Sequence, residues 1–178
     1  MKYSNIKWLS IENGTGIRVS LFVSGCRNNC PGCFNKEAQD FNHGEEFTEE
    51  TINKIVSFIK DHDYVAGLTF LGGEPMEEEN QVGILPLILK LKKECPTKTI
   101  WLYTGFIWEY IFPAITLDEF NIYNTYRQEI VRLCDVVVDG PYIDSQRDIT
   151  LKWRGSKNQR VIDVQETLKN KRIVLFCD

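Results

Sequence analysis

The chain has 178 residues, with 21 Lys and Arg against 25 Asp and Glu, for a formal net charge of −4. Such a balance lacks the global basic field that non-specific nucleic-acid binding relies on, so nucleic acid is not an expected partner. Hydrophobic residues make up 43% and aromatic residues 12%, which supports a packed core and excludes general disorder.

In chain order, Arg18-Val19-Ser20-Leu21-Phe22-Val23 is a β-rich run ending at Ser24-Gly25. A helix is expected from Thr48, a suitable N-cap; Glu49 and Glu50 fit the positive helix start, and Phe47 and Ile52 have staple spacing. Ile52, Ile55, Val56 and Ile59 give that helix one apolar face. Leu68-Thr69-Phe70-Leu71 is a second strand, ending at Gly72-Gly73. Residues 81–94 read as a helix in which Pro86 forces a late start or a kink. Thr99-Ile100-Trp101-Leu102-Tyr103 is a third strand, residues 117–133 a helix, and Val136-Val137-Val138 a fourth strand before Asp139-Gly140-Pro141. Arg160-Val161-Ile162-Asp163-Val164 and Ile173-Val174-Leu175-Phe176 are further strand candidates.

Strands alternating with helices predict an α/β fold built on a parallel sheet, flat or curved into part of a barrel. Ligands of such sheets sit beyond the carboxyl ends of the strands. Four polar or glycine-bearing segments fall at those ends: the loop at Cys26, residues 72–75, residues 103–105 and residues 139–142.

Six cysteines in this length is far below the density of a disulfide scaffold, which points to a reducing, cytoplasmic compartment. No stretch approaches the roughly 20 apolar residues that span a bilayer, and no membrane association is expected. Val23-Ser24-Gly25-Cys26 has the form of a lipoprotein cleavage box, but Glu12, Asn13, Gly14, Gly16 and Arg18 interrupt any apolar segment ahead of it. Cys26, Cys30 and Cys33 instead form a CxxxCxxC loop whose other residues include Arg27, Asn28, Asn29, Pro31 and Gly32, a poor setting for inert core thiols. Two metal readings follow. A structural zinc site needs a fourth ligand, for which His43 is the candidate, because Cys95, Cys134 and Cys177 are isolated in the sequence. An iron–sulfur cluster with three thiolates leaves one iron open to a substrate or cofactor.

The loop resembles the signature of the radical S-adenosylmethionine enzymes, and Gly72-Gly73-Glu74-Pro75 resembles the GGEP segment of the same family. The resemblance implies a single domain, residues 1–178, built as an incomplete parallel β/α barrel with its core at about 11–164 and an extension over 165–178. It further implies that Cys26, Cys30 and Cys33 hold one 4Fe–4S cluster whose fourth iron chelates the amino and carboxylate groups of S-adenosylmethionine. Gly72, Gly73 and Glu74 would hold the methionine end of that cofactor, with Gly32, Cys33 and Phe34 beside the adenosyl part. Many members carry an aromatic residue just before the third cysteine, where this chain has Gly32. Thr104 would contact the ribose or carboxylate, and Asp139 matches an acidic strand-end position that contacts the cofactor in related enzymes. A strand-end Thr or Asp is as often a turn or cap residue.

Residues 11–18 and 21–26, with Asn35 after the cysteines, are similar to the entry segment of the activases of glycyl radical enzymes. The Cys30-Pro31-Gly32-Cys33 form, the short chain and the tail Trp153-Arg154-Gly155-Ser156-Lys157-Asn158-Gln159-Arg160 are most similar to members serving anaerobic ribonucleotide reductases. The implied partners are the large subunit of that reductase and a low-potential electron donor such as flavodoxin. The activase of pyruvate formate-lyase is the alternative within the family, and a zinc-binding interaction module the alternative outside it. The tail segment is open to three roles: closing the site, binding the methionine carboxylate, or facing the partner. The aromatic stretch 106–112 reads as core or partner surface.

Overall fold

A computed structural model describes residues 1–113 and 125–177. Its strands are β1 (Lys2–Ser10), β2 (Ile17–Val23), β3 (Glu45–Glu46), β4 (Val65–Gly72), β5 (Thr99–Tyr103), β6 (Val136–Asp139), β7 (Arg160–Asp163) and β8 (Leu175–Cys177). The helices are α1 (Glu49–Asp61), α2 (Glu78–Glu94), α3 (Trp108–Ile111), α4 (Thr125–Leu133) and α5 (Val164–Asn170). One open sheet runs in the order β3-β1-β2-β4-β5-β6-β7-β8.

The expectation of a parallel sheet holds only for its centre. Strands β2, β4, β5 and β6 are parallel, whereas β1 and β3 on one flank and β7 and β8 on the other pair antiparallel. The cause is chain length between neighbours. Only six residues, 11–16, separate β1 from β2, too few for a crossover, so the chain must return antiparallel. Between the parallel strands the chain has room for helices, and the successive crossovers all advance in one direction. With right-handed crossovers that progression sets the helices on one face of the sheet.

Alternation along the strands then divides the two faces. Val19, Leu21, Val23, Leu68, Phe70, Ile100, Leu102 and Val137 join one core with Ile55, Ile59, Leu87 and Ile88 of the helices. The intervening residues, Arg18, Ser20, Thr69, Trp101, Tyr103 and Val138, turn to the opposite face, and part of that face is covered by Trp153 and Cys177. This second face is mixed polar and aromatic, and its upper end opens on the site described below.

Arg18 organises the lower end. It is fully buried. Its Nε–H donates to Thr69 Oγ1 at 2.8 Å, one terminal nitrogen donates to Thr99 Oγ1 and the Thr15 carbonyl, and the other to the carbonyls of Leu68 and Thr99. The guanidinium also lies 5.6 Å from the centroid of the Trp101 ring. Thr69 Oγ1 in turn donates to the Asn13 carbonyl at 2.9 Å, which fixes the 11–16 connection under the sheet. Replacing Arg18 with Met keeps volume but strips acceptors of their donors in a sealed space. We expect a loss of roughly 3 kcal/mol, read by urea unfolding as a lower midpoint with an unchanged slope.

Local details follow the chemistry of the chain. Thr48 caps α1 by accepting from the Thr51 backbone N–H at 3.3 Å, with Thr51 Oγ1 returning the contact. Helix α2 begins at Glu78, ahead of the expected start, and runs through Pro86. Pro86 is exposed, and its missing N–H removes one hydrogen bond from the helix interior. Of the helix expected over 117–133, residues 117–124 lie outside the described residues, and α4 occupies the rest. The aromatic stretch divides: Trp108 and Ile111 are buried, while Ile107 and Tyr110 are exposed. The tail beyond residue 164 is part of the sheet, because β8 pairs with β7 and α5 packs on it.

Candidate active site

The four strand-end segments expected from the sequence do meet. A cavity of about 630 Å³ opens at the carboxyl ends of β4 and β5, within the size range of small-molecule sites. Cys26, Cys30, Cys33, Gly32 and Phe34 border it from the loop after β2, and Gly72, Gly73 and Glu74 from the end of β4. Tyr103, Thr104 and Gly105 follow from β5, with Gly140 and Tyr142 after β6.

Backbone hydrogen bonds stitch the first two segments together. Gly73 N–H donates to the Val23 carbonyl at 2.7 Å and Glu74 N–H to the Gly25 carbonyl at 2.9 Å. Asn80 Nδ2 donates to the Glu74 carbonyl at 2.9 Å, so the start of α2 holds the same junction. The closeness of these chains requires glycine at position 73, where a Cβ would stand 2.6 Å from the Gly25 carbonyl oxygen.

Glu74 is 1% exposed and is the centre of the polar network. Its Oε1 accepts from Met76 N–H at 2.9 Å and Thr104 Oγ1 at 2.8 Å. Its Oε2 accepts from Gly105 N–H at 2.7 Å and Asn28 Nδ2 at 3.0 Å. Burial raises its carboxyl pKa above the ordinary range, and these four hydrogen bonds oppose that rise. The donors are all neutral, so they satisfy the oxygens without cancelling the charge. Among the described residues no cation is bonded to this carboxyl to offset the burial that disfavours its ionised form.

The cysteine loop has its own clamp. Glu77 Oε1 accepts from the Arg27 backbone N–H at 2.8 Å, and Glu77 Oε2 from its guanidinium at 2.7 Å. Glu79 receives the same guanidinium at 2.6 and 3.0 Å, and the group lies 4.3 Å from the Phe41 ring centroid. The Arg27 hydrogen bonds hold the Glu79 carboxyl down at about 2. Because that pKa is depressed on folding, the stability it contributes is present above the ordinary carboxyl value and is lost as pH falls towards about 2. Arg27→Gln is expected to return the Glu79 titration midpoint towards 4.5, measured by carboxyl chemical shift against pH.

Gly32 adopts φ +72, and a Cβ there would meet Asp144 Oδ1 at 2.8 Å. The segment after β6 therefore lies against the cysteine loop and leaves no room for an aromatic side chain at this position. Tyr142 donates to the same carboxylate at 2.7 Å. Phe34 lies at the cavity with 88% of its surface exposed.

Burial raises the Cys26 thiol to about 11 and also raises Cys30. Both hold their protons until a metal displaces them, which couples metal loading to proton release. The donor set fits a cluster that takes thiolates from one short loop. His43, the candidate fourth ligand of a zinc site, does not line the cavity and lies 3.9 Å from Glu37. Among the described residues no three His, Cys, Asp or Glu side chains are gathered closely enough to hold a metal ion, the three loop cysteines included. Cys95 and Cys134 are buried elsewhere, and Cys177 lies on β8.

Two expected cofactor contacts look different in three dimensions. Thr104 borders the cavity but is committed to Glu74, and it accepts from Phe106 N–H at 3.1 Å. Asp139 is fully buried away from the cavity lining. Its carboxylate accepts from Trp108 N–H at 2.8 Å and from the Arg160 guanidinium, which also grips Glu109. Arg160 is thereby the anchor of the tail segment. Sequence reasoning missed Asn28 as the link between the cysteine loop and Glu74; an Asn between two cysteines carries no pattern that names its partner.

Residues 12–162 match the family of 4Fe-4S single cluster domains, which places the chain among iron–sulfur proteins. The anaerobic ribonucleoside-triphosphate reductase-activating protein of Salmonella typhi is 38% identical over 162 residues, covering 90% of this chain and 97% of its own length. The protein of the same name from Escherichia coli K12 is 37% identical over the same shares. That of enterobacteria phage T4 is 34% identical over 163 residues, 90% of this chain and 93% of its own. The chain belongs to the family of anaerobic ribonucleoside-triphosphate reductase-activating proteins.

Proposed function

We propose that this protein is the activase of an anaerobic ribonucleoside-triphosphate reductase, installing a radical on a glycine of the large subunit with S-adenosylmethionine as the radical source. The observation that carries the reading is the meeting of the CxxxCxxC loop and the Gly72-Gly73-Glu74 segment at one cavity, in a chain whose relatives bear that name. When bound, the 4Fe–4S cluster supplies the single electron that splits the sulfonium into methionine and a 5′-deoxyadenosyl radical.

In this reading the chain's own residues bind, orient and shield. Cys26, Cys30 and Cys33 are the protein's only ligands to the cluster, which leaves one iron for the cofactor. The Glu74 carboxyl, with no cation bonded to it, faces the cofactor's ammonium, and Gly72 and Gly73 let this segment pack directly on the backbone of β2 and its loop, which sets Glu74 at the cavity. Gly32 and Phe34 flank the adenosyl group. Thr104 acts by holding Glu74 in place, and Asp139 by holding Arg160. In this reading the parallel centre of the open sheet corresponds to the incomplete β/α barrel of the radical S-adenosylmethionine enzymes, and the chain works as a single domain. A glycine-bearing loop of the reductase would close the cavity and exclude water. The electron comes from a low-potential donor such as flavodoxin in the cytoplasm; among the described residues no helix is long and apolar enough to cross a membrane.

Anaerobic incubation of cluster-loaded protein with a reductant, S-adenosylmethionine and the large reductase subunit is expected to give the glycyl-radical doublet in electron paramagnetic resonance. Absence of that doublet, with the same preparation activating pyruvate formate-lyase instead, would transfer the protein to that partner.

A further inference from the structure

The cysteine loop carries a second pattern inside the first. Cys30-Pro31-Gly32-Cys33 is a CxxC pair, a spacing at which two thiols exchange with a disulfide. The backbone makes it a turn: Cys33 N–H donates to the Cys30 carbonyl at 3.2 Å, and Gly32 adopts φ +72. Proline at the second position and a left-handed glycine at the third are the residues of a type II turn. Such a turn keeps its first and fourth Cα atoms within about 7 Å, and a disulfide bridges Cα atoms about 4.4–6.8 Å apart. Pro31 and Gly32 are exposed and both thiols are half-buried, so a small reagent reaches them.

Cys26 is fastened differently. Its N–H donates to the Gln39 carbonyl at 3.1 Å, with Gly25 N–H on the Ala38 carbonyl at 2.8 Å and Arg27 N–H on Glu77 at 2.8 Å. Between that anchored stretch and the turn stands Asn29 at φ 45, a left-handed conformation that Asn tolerates. Cys30 and Cys33 therefore share a turn to which Cys26 does not belong. Cys95 and Cys134 are buried elsewhere, and Cys177 lies on β8.

We propose that Cys30 and Cys33 are a redox site of the cluster-free chain, closing a reversible disulfide by exchange with a small disulfide of the glutathione class. One cysteine thiolate attacks a sulfur of the reagent, forming a mixed disulfide and releasing the first small thiol. The other cysteine then attacks the protein sulfur of that bond and releases the second. The protein thiols give up two electrons and two protons, which leave on the two released thiols. The closed pair has no thiolate to offer iron, so it competes with cluster assembly until a dithiol reopens it. It also keeps these sulfurs off the irreversible path to sulfinic and sulfonic acids. The competition rests on the reading of these cysteines as cluster ligands and is independent of S-adenosylmethionine.

Trypsin separates the possible pairings, because cleavage after Arg27 and Lys36 isolates Cys30 and Cys33 in the peptide Asn28–Lys36 and leaves Cys26 on the peptide before it. Cluster-free, full-length protein is equilibrated anaerobically with glutathione and glutathione disulfide, free thiols are alkylated, and the digest is read by mass spectrometry. After oxidation, peptide 28–36 is expected unalkylated and lighter by two hydrogens than its reduced form, while Cys26 is alkylated throughout. The equilibrium constant for closure should be at least about tenfold larger in the folded protein than in the same chain in urea, because the turn is preformed. Equal constants, a persistent mixed disulfide with glutathione, or a bridge to Cys26 would overturn the proposal. Cluster-loaded protein in the same glutathione mixture should yield at least about tenfold less closed peptide, since iron holds both sulfurs. Equal closure with iron retained would defeat the ligand reading instead, and leave the disulfide standing.

Discussion

Replacing Cys26, Cys30 or Cys33 with Ala, one at a time, is expected to abolish reductase activation and to reduce bound iron and sulfide to background. The loop offers three thiols, and among the described residues that line the cavity there is no other Cys and no His. A cluster left with two protein ligands is open to loss and oxidation. Each of these cysteines is only half-buried, so their loss should leave the apo protein folded. The control is Cys177→Ala on the edge strand β8, which should retain full cluster content. If that variant loses half its iron, the ligand assignment is wrong. Iron and sulfide analysis with the visible absorption band reads both results.

Glu74→Ala should be the most damaging change outside the cysteines. It leaves Thr104 Oγ1, the N–H groups of Met76 and Gly105, and Asn28 Nδ2 without an acceptor. The expected loss is roughly 3 kcal/mol or more, a fall of about 6–12 °C in melting temperature for a chain of this size. Loss of the Asn28 contact also frees the cysteine loop, so cluster retention should fall with stability. Glu74→Gln separates shape from charge. It keeps volume and one acceptor oxygen, replaces the other by an NH2 that cannot accept from its two donors, and removes the negative charge, so stability should fall by less than in Glu74→Ala while S-adenosylmethionine binding falls as far. The pH dependence has a defined sign. Because burial holds the folded carboxyl pKa above its ordinary 4.5, Glu74 favours the folded state most when protonated. Stability should therefore fall as pH rises from the ordinary value through the raised one. Thermal unfolding of Glu74→Gln across that window should show a flatter profile than the parent.

Much of the central sheet was legible because its signals are local. The run Thr99–Tyr103 is β5 as expected, and Thr48 caps α1 with the staple pair beside it. Strand β1 was not, because KYSNIKWLS mixes exposed and half-buried positions on a flank of the sheet and its pairing with β2 is broken by register shifts. The antiparallel flanks were missed for a related reason: pattern reports strands, while direction depends on how far the chain must travel between them. At the site, the cysteine loop and the Gly72-Gly73-Glu74 segment were readable from residue type and spacing. Their fastening was not. Asn28 to Glu74, Arg27 to Glu77, and Arg160 to Asp139 join residues distant in sequence through side chains that look like ordinary surface polar groups. The expectation that Asp139 touches the cofactor came from its match to an acidic strand-end position in related enzymes, beside the even alternative of a turn or cap residue. In the structure Arg160 and the Trp108 backbone N–H hydrogen-bond its oxygens.

The central claim is that three loop thiolates are the protein's whole share of the cluster, so that one iron stays free for the cofactor. Mössbauer spectroscopy of protein loaded anaerobically with isotopically enriched iron tests it most directly. Adding S-adenosylmethionine is predicted to shift the signal of one iron of the cluster and leave the other three unchanged. A spectrum that does not respond, with all irons alike in a fully cysteine-ligated cluster, would contradict it.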